Sequence, residues 1–170
     1  METEDINDRL RTLKIPEYRK AVDALFSLEA DCLIPNSSIY HAAVISEMMI
    51  KHTPQGGNIY FLCKNLNKQC FETAAVLEAV REAVRRNVTF HIAYTDPNPE
   101  SGALKEILNQ VEFNYVRPLL LNNKEVNFST NGKAIRLEMD ASEPHADVVP
   151  NAPEISARMV TLYNSLSKVQ

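Results

Sequence analysis

The sequence is short of glycine, carries an odd number of cysteines and has no long apolar run, and each shortage excludes something. Four glycines in 170 residues, with no low-complexity tract, exclude a disordered linker and a repeat array. Cys32, Cys63 and Cys70 are odd in number and have neither C-x-x-C nor metal-ligand spacing. Cys63 lies in an apolar stretch and reads as a small buried hydrophobe. Free thiols in a domain of this size suggest a reducing compartment. No apolar stretch approaches the about 18 residues needed to span a bilayer. The opening Met-Glu-Thr-Glu-Asp is acidic and polar, unlike a signal or transit peptide. A cytoplasmic protein without a membrane partner is expected. Charge of either sign is also in small excess: a net −4 makes the whole surface neither a nucleic-acid binder nor a DNA mimic.

What is present is the composition of an ordinary globular domain, 45% apolar and 24% charged. A chain of this length buries roughly two thirds of its unfolded surface. Residues 4–15, with Ile6, Leu10 and Leu13 on one side, and 17–29, with Tyr18, Val22, Leu25, Phe26 and Leu28 in a stripe, predict two helices, the second opened by Pro16. They stand outside the pattern that follows, so residues 1–35 are expected to be a helical extension and 36–170 the main domain. Residues 32–35 predict an edge strand, because proline cannot donate to a ladder. Ser37 and Ser38 then offer caps for a helix over 39–51. Residues 58–63 and 88–94 are near-continuous apolar strands, the pattern of strands covered on both faces. Between them 71–87 predicts one helix with Arg81, Arg85 and Arg86 at its C-terminal end. A short helix over 103–111 and a strand over 115–121 bent at Pro118 follow. Residues 124–140 predict two strands joined by a tight turn at Asn131-Gly132. Residues 146–149 predict a last strand, and Asn151-Ala-Pro153 opens a closing helix. Parallel pairing of the early strands through right-handed crossovers is expected.

From about Ile39 onward the order of these motifs resembles the single-domain phospholipase-D-like proteins, which include small bacterial endonucleases. The likeness is carried by a helix before Ile59-Tyr-Phe-Leu and by Glu78-Ala-Val-Arg-Glu-Ala-Val-Arg-Arg-Asn-Val-Thr-Phe-His-Ile. Lys133-Ala-Ile-Arg-Leu-Glu-Met-Asp after the hairpin and Asn151-Ala-Pro-Glu154 before the closing helix complete it. The resemblance implies an α/β fold, a mixed sheet flanked by helices, with an N-terminal helical addition, and a homodimer paired through the face that carries the hairpin. Members that hydrolyse phosphodiesters carry His-x-Lys-x4-Asp on this hairpin, with histidine as the nucleophile. Here the matching stretch, 126–131, holds Asn127, Ser129, Thr130 and Asn131 and no histidine. None of His41, His52, His91 and His145 has a lysine two residues later.

No catalytic residue, metal ligand or cofactor is therefore expected. His91 alternates with apolar neighbours and reads as a histidine bonded to a carbonyl. Ser37, Ser38 and His41 gather at one helix start, where backbone N–H groups either hold an anion or are simply capped. Ser129, Thr130, Asn131 and Lys133 can line a residual phosphate-sized pocket. Lys64, Lys68, Arg81, Arg85 and Arg86 form either a nucleic-acid-binding face or a solvated helix end. Arg136 and Glu138 share one face of a strand, which favours an ion pair, and His145 with Asp147 reads as a solvated pair. The expected function is non-catalytic binding of a protein or a nucleic acid, as in a regulatory subunit or a phage- or plasmid-encoded inhibitor. The alternatives are a phosphodiesterase or nuclease that recruits His41 or His91 to the hairpin, and a flavodoxin-like ligand binder. The last requires a parallel strand in place of the hairpin.

Overall fold

A computed structural model describes residues 3–100 and 102–170, and for residues 3–7 the backbone alone, so the packing expected of Ile6 lies outside the described residues. Helices α1 (Thr3–Thr12) and α2 (Ile15–Ser27) lead into the short strand β1 (Ile34–Asn36) and helix α3 (Ile39–Lys51). Tyr18, Val22 and Phe26 recur every fourth residue of α2 and are buried in the same apolar core as α3 and the sheet. The Tyr18 hydroxyl donates to the Pro35 carbonyl at 2.8 Å, and Arg19 holds the buried Glu47 carboxylate with two nitrogens. Helix α2 thus closes over α3, while α1 packs against β1. That explains why α3 is buried from His41 to Ile50, although its sequence is polar at Ser46 and Glu47.

Strand β2 (Asn58–Cys63) is followed by a single turn, α4 (Lys68–Phe71), and by α5 (Ala74–Arg85). The single helix expected over 71–87 is divided at Glu72-Thr73, because the Thr73 hydroxyl accepts the Val76 N–H at 3.2 Å and starts a new helix. Strand β3 (Thr89–Tyr94), the short helix α6 (Gly102–Ile107) and β4 (Phe113–Tyr115) follow. The strand expected over 115–121 is displaced toward the N-terminus: β4 ends at Tyr115, Val116 makes a single antiparallel bridge to Lys168, and Pro118 lies beyond, with no N–H to extend a ladder. Residues beyond it make a separate small hairpin, β5 (Leu120–Leu121) with β6 (Lys124–Glu125). Asn122 and Asn123 both have positive φ, 52° and 62°, as a two-residue type I′ turn demands.

The sheet is completed by β7 (Asn127–Thr130), β8 (Ile135–Glu138) and β9 (Ala146–Val149), before the closing helix α7 (Pro153–Asn164). Its order is β1-β9-β8-β7-β2-β3-β4. Strands β2, β3 and β4 are parallel; β7 runs antiparallel to β2, and β8 and β9 continue antiparallel. The fold is a mixed α/β sheet flanked by helices, and the antiparallel β7–β8 hairpin removes the flavodoxin-like alternative. The hairpin loop is longer than the tight turn expected: Thr130 pairs with Ile135, leaving four residues. Only Gly132 among them has positive φ, 90°. Asn131 instead uses its side-chain oxygen to accept the Lys133 and Ala134 N–H groups, at 3.1 and 2.9 Å. One face of the sheet carries the main core, with Ile59, Phe61, Phe90 and Ile92 among its members. The other carries a smaller cluster of Leu62, Ala93, Val116, Phe128 and Ile135 under α7 residues Met159 and Tyr163. No described helix is long and apolar enough to cross a membrane.

Candidate functional site

Antiparallel pairing sets the composition of one end of the sheet. Register places Asn127 opposite Glu138 and Ser129 opposite Arg136, and opposed residues point to the same face. Phe128 and Thr130 point the other way. Four polar side chains therefore project together from the middle of the sheet, beside Phe61 of β2, which pairs with Ser129. They line a cavity of about 390 Å³ at the C-terminal end of β2 and the N-terminal end of β7. Asn36, Ser38, Ile39 and Ala42 close one side, Lys64, Asn67 and Cys70 another, and the 141–145 loop lies across a third.

Electrostatically the cavity is balanced. Arg136 and Glu138 form an ion pair at 2.5 Å, with side chains only 16% and 19% exposed. Arg136 Nε also donates to Asn36 Oδ1 at 2.7 Å, so the pair expected from strand alternation is a half-buried network. Asn127 is 6% exposed, and its side-chain oxygen is buried without a hydrogen-bond partner. The loop over the cavity is tied down from outside. Lys124 donates to Asp140 at 2.7 Å, and that hydrogen bond, joined by those of Ser142, holds the Asp140 carboxyl down to about 2. Ala141 N–H donates to the Glu125 carbonyl at 2.8 Å, so the small β5–β6 hairpin anchors the loop.

Of the residues singled out in the sequence, Ser38, Lys64, Ser129, Arg136, Glu138 and His145 line this cavity. Thr130, Asn131 and Lys133 lie at the far end of β7. The Thr130 hydroxyl donates to the Ala134 carbonyl at 2.7 Å, Asn131 Nδ2 to Met49 O at 3.3 Å, and Lys133 pairs with Glu29 at 2.5 Å. At the start of α3, Ser38 Oγ accepts the His41 N–H at 3.1 Å and His41 Nδ1 faces the Ser37 N–H at 3.4 Å. The His41 ring stacks on Tyr18 at 4.1 Å, and burial lowers its pKa, favouring the neutral ring.

The basic residues are divided between the two ends of the sheet. Lys64 and Lys68 follow β2, whereas Arg85 and Arg86 end α5, beside the start of the parallel strands. Arg86 donates to the Thr53 carbonyl and to Ile50 O at 3.2 Å, capping the end of α3. Arg81 and Arg85 pair with Glu78 and Glu82 on their own helix. His91 projects from the opposite face of the sheet and bonds the Asn58 side-chain oxygen at 2.9 Å, stacked on Tyr60 at 4.3 Å. His145 and Asp147 are an exposed pair at 3.2 Å. Burial pushes the Cys63 and Cys70 thiols well above their ordinary range, away from the nucleophilic thiolate. Among the described residues, no group of three His, Cys, Asp or Glu side chains can hold a metal ion.

Asn127, Asn36, Arg136 and Glu138 were not singled out together as a site. The available signal was a period of two: polar residues at 127, 129, 136 and 138 on two strands that otherwise read as core.

Fold and site together define a mixed α/β domain with a charge-balanced polar pocket at one end of its central strands. No protein-family model matches the chain, and no curated protein sequence does. Among solved structures it is similar to Nuc from Salmonella typhimurium, described as a phospholipase D family member. The likeness has 14% sequence identity and a TM-score of 0.49, and covers 75% of this chain and 90% of that one.

Proposed function

We propose that the chain is a non-catalytic, phospholipase-D-like module that works by binding, with the pocket-bearing end of the sheet as its contact surface. The observation that carries this reading is the placement of the histidines and thiols. His41 is capped and stacked, and His91 sits on the far face of the sheet. His145 lines the pocket from the 141–145 loop with its Nε2 bonded to Asp147 at 3.2 Å, and both thiols near the pocket are held protonated. No histidine stands on the β7–β8 hairpin or has a lysine two residues later, the arrangement that attacks phosphorus in the enzymes this chain resembles. Two large exposed side chains directly follow pocket-lining residues in the chain and support a macromolecular contact: Tyr40, after Ile39, is 67% exposed and Met139, after Glu138, is 47% exposed. The proposal includes a protein or nucleic-acid partner, a self-paired dimer, and the role of a regulatory subunit or inhibitor.

The test is incubation of the full chain with labelled single- and double-stranded nucleic acid, with and without chelator, alongside sedimentation to read its oligomeric state. The expected result is no cleavage product, with salt-dependent binding or a protein partner recovered instead. Cleavage that disappears in His41→Ala or His91→Ala would overturn the proposal in favour of a nuclease.

A further inference from the structure

We infer that the pocket accepts a neutral, planar heterocycle through an edge that presents adjacent hydrogen-bond donor and acceptor groups, as a nucleobase does. This rests on the binding reading above and gives it a ligand class. Three independent features converge on it. The first is Asn127: a carboxamide 6% exposed, lining the cavity, its oxygen buried without a partner. Leaving such a group unpaired is costly. That oxygen is shielded, so the Asn127 amide meets a ligand through its N–H donors, and the acceptor beside them is Glu138, opposite Asn127 in register.

The second feature is charge. The cavity is lined by two cations, Lys64 and Arg136, and two carboxylates, Glu138 and Glu143. The innermost pair, Arg136 with Glu138, is already neutralised at 2.5 Å. Such a lining lacks the excess of positive charge that holds a phosphate, yet Arg136 keeps further N–H donors and Glu138 a second oxygen for a neutral ligand. The Ser129 hydroxyl, opposite Arg136, adds a group that can donate or accept.

The third is shape. About 390 Å³ falls in the usual range of small-molecule pockets, roughly 300–1,000 Å³. Beside Asn127, Ser129 and Glu138, apolar lining comes from Ile39 and Phe71 on neighbouring helices and from Phe61, which lies next to Ser129 on the sheet. Hydrogen-bonding groups set among apolar side chains match a flat ring with a hydrogen-bonding edge.

The experiment is calorimetric titration of the full chain with guanosine, adenosine, cytidine and uridine in turn, with inorganic phosphate as the anionic control, together with Asn127→Leu and Ser129→Ala. The expected result is saturable binding of at least one nucleoside and none of phosphate. Asn127→Leu should weaken that binding at least 10-fold without lowering the melting temperature, since it removes an unpaired polar group. Ser129→Ala, a smaller change, reads the same pocket if the leucine variant fails to fold, and should weaken binding 3-fold or more. Absence of binding by all four nucleosides, binding of phosphate instead, or nucleoside binding unchanged in the folded variants overturns the inference. Assaying the same samples for phosphodiester cleavage keeps the two proposals separate. Cleavage refutes the non-catalytic reading whatever the nucleosides do, and absence of both cleavage and nucleoside binding refutes the ligand class alone.

Discussion

Replacing Arg136 with methionine tests the central network directly. Arg136 holds Glu138 at 2.5 Å and Asn36 at 2.7 Å, and the charged pair is less than one-fifth exposed. Removing one member of a fully buried pair costs about 3–5 kcal/mol, because the partner keeps its desolvation penalty without its counter-charge. The side chains here line an open cavity, so water relieves part of that penalty, and about 2–3 kcal/mol is expected for Arg136→Met. Glu138→Leu alone strands the guanidinium, which still has Asn36, and should cost about 1–2 kcal/mol. The double variant leaves no uncompensated charge and should return to within about 1 kcal/mol of the parent. Urea unfolding of the four proteins closes the cycle. With a slope of about 2 kcal/mol/M, Arg136→Met shifts the midpoint by about 1 to 1.5 M, and the coupling between the two sites is about 3 kcal/mol. Additive losses, with the double variant the least stable of the four, would refute the reasoning and make the two residues independent.

Four further outcomes are expected. Gly132→Ala should lower stability by about 1–2 kcal/mol in the same assay, because Gly132 has φ of 90° with open space around it, so the cost is backbone strain alone. Tyr18→Phe should cost about 1–2 kcal/mol by leaving the Pro35 carbonyl without its 2.8 Å donor; an unchanged midpoint would mean that water replaces the hydroxyl. Thr73→Ala should cost about 1 kcal/mol and fray the start of α5, read by amide exchange at Val76. Burial lowers the pKa of both His41 and His91 from the ordinary 6.5. The folded state therefore binds fewer protons than the unfolded chain, and stability rises with pH. This contribution is complete above about pH 6.5 and is lost as pH falls below it toward the depressed values. His41→Gln should flatten the slope of stability against pH between 5 and 7, and an unchanged slope would show that His41 takes no part.

Where the sequence predicted well, the local pattern and the tertiary environment agreed. Strands β2 and β9 and helix α3 fall where their residues indicate, since a continuous apolar run bounded by turns, or a serine before an apolar helix, has few competing solutions. The misplaced boundaries share a cause: a side chain rather than periodicity decided them. Thr73 caps a new helix inside a pattern that reads as continuous. Asn131-Gly132 looks like the tight turn, but the Asn131 side chain folds back on Lys133 and Ala134 and opens a four-residue loop. Meanwhile Asn122-Asn123, which lacks glycine, has positive φ at both residues and makes the two-residue turn. Propensity names the residues able to adopt such a conformation; the register of the flanking strands selects which pair does.

The site was legible only in part, for a related reason. Strand alternation shows from sequence alone that Arg136 and Glu138 share a face. It does not show that β7 lies between β8 and β2, because strand order is a long-range property. That order brings Asn127 and Ser129 against the ion pair and stations Asn36, about 100 residues away in the chain, within 2.7 Å of Arg136. The same topology separates Lys64, after β2, from Arg86, before β3, which stand close in any list of candidate cations. Polar side chains at alternate positions of a central strand carry a desolvation cost that a purely structural strand avoids by using valine or isoleucine. In β7 and β8 that cost is offset for Arg136 and Glu138 by each other, and for Asn127 by nothing within the chain. A buried side chain left uncompensated on the wall of an open cavity is the strongest physical reason to look for a ligand there.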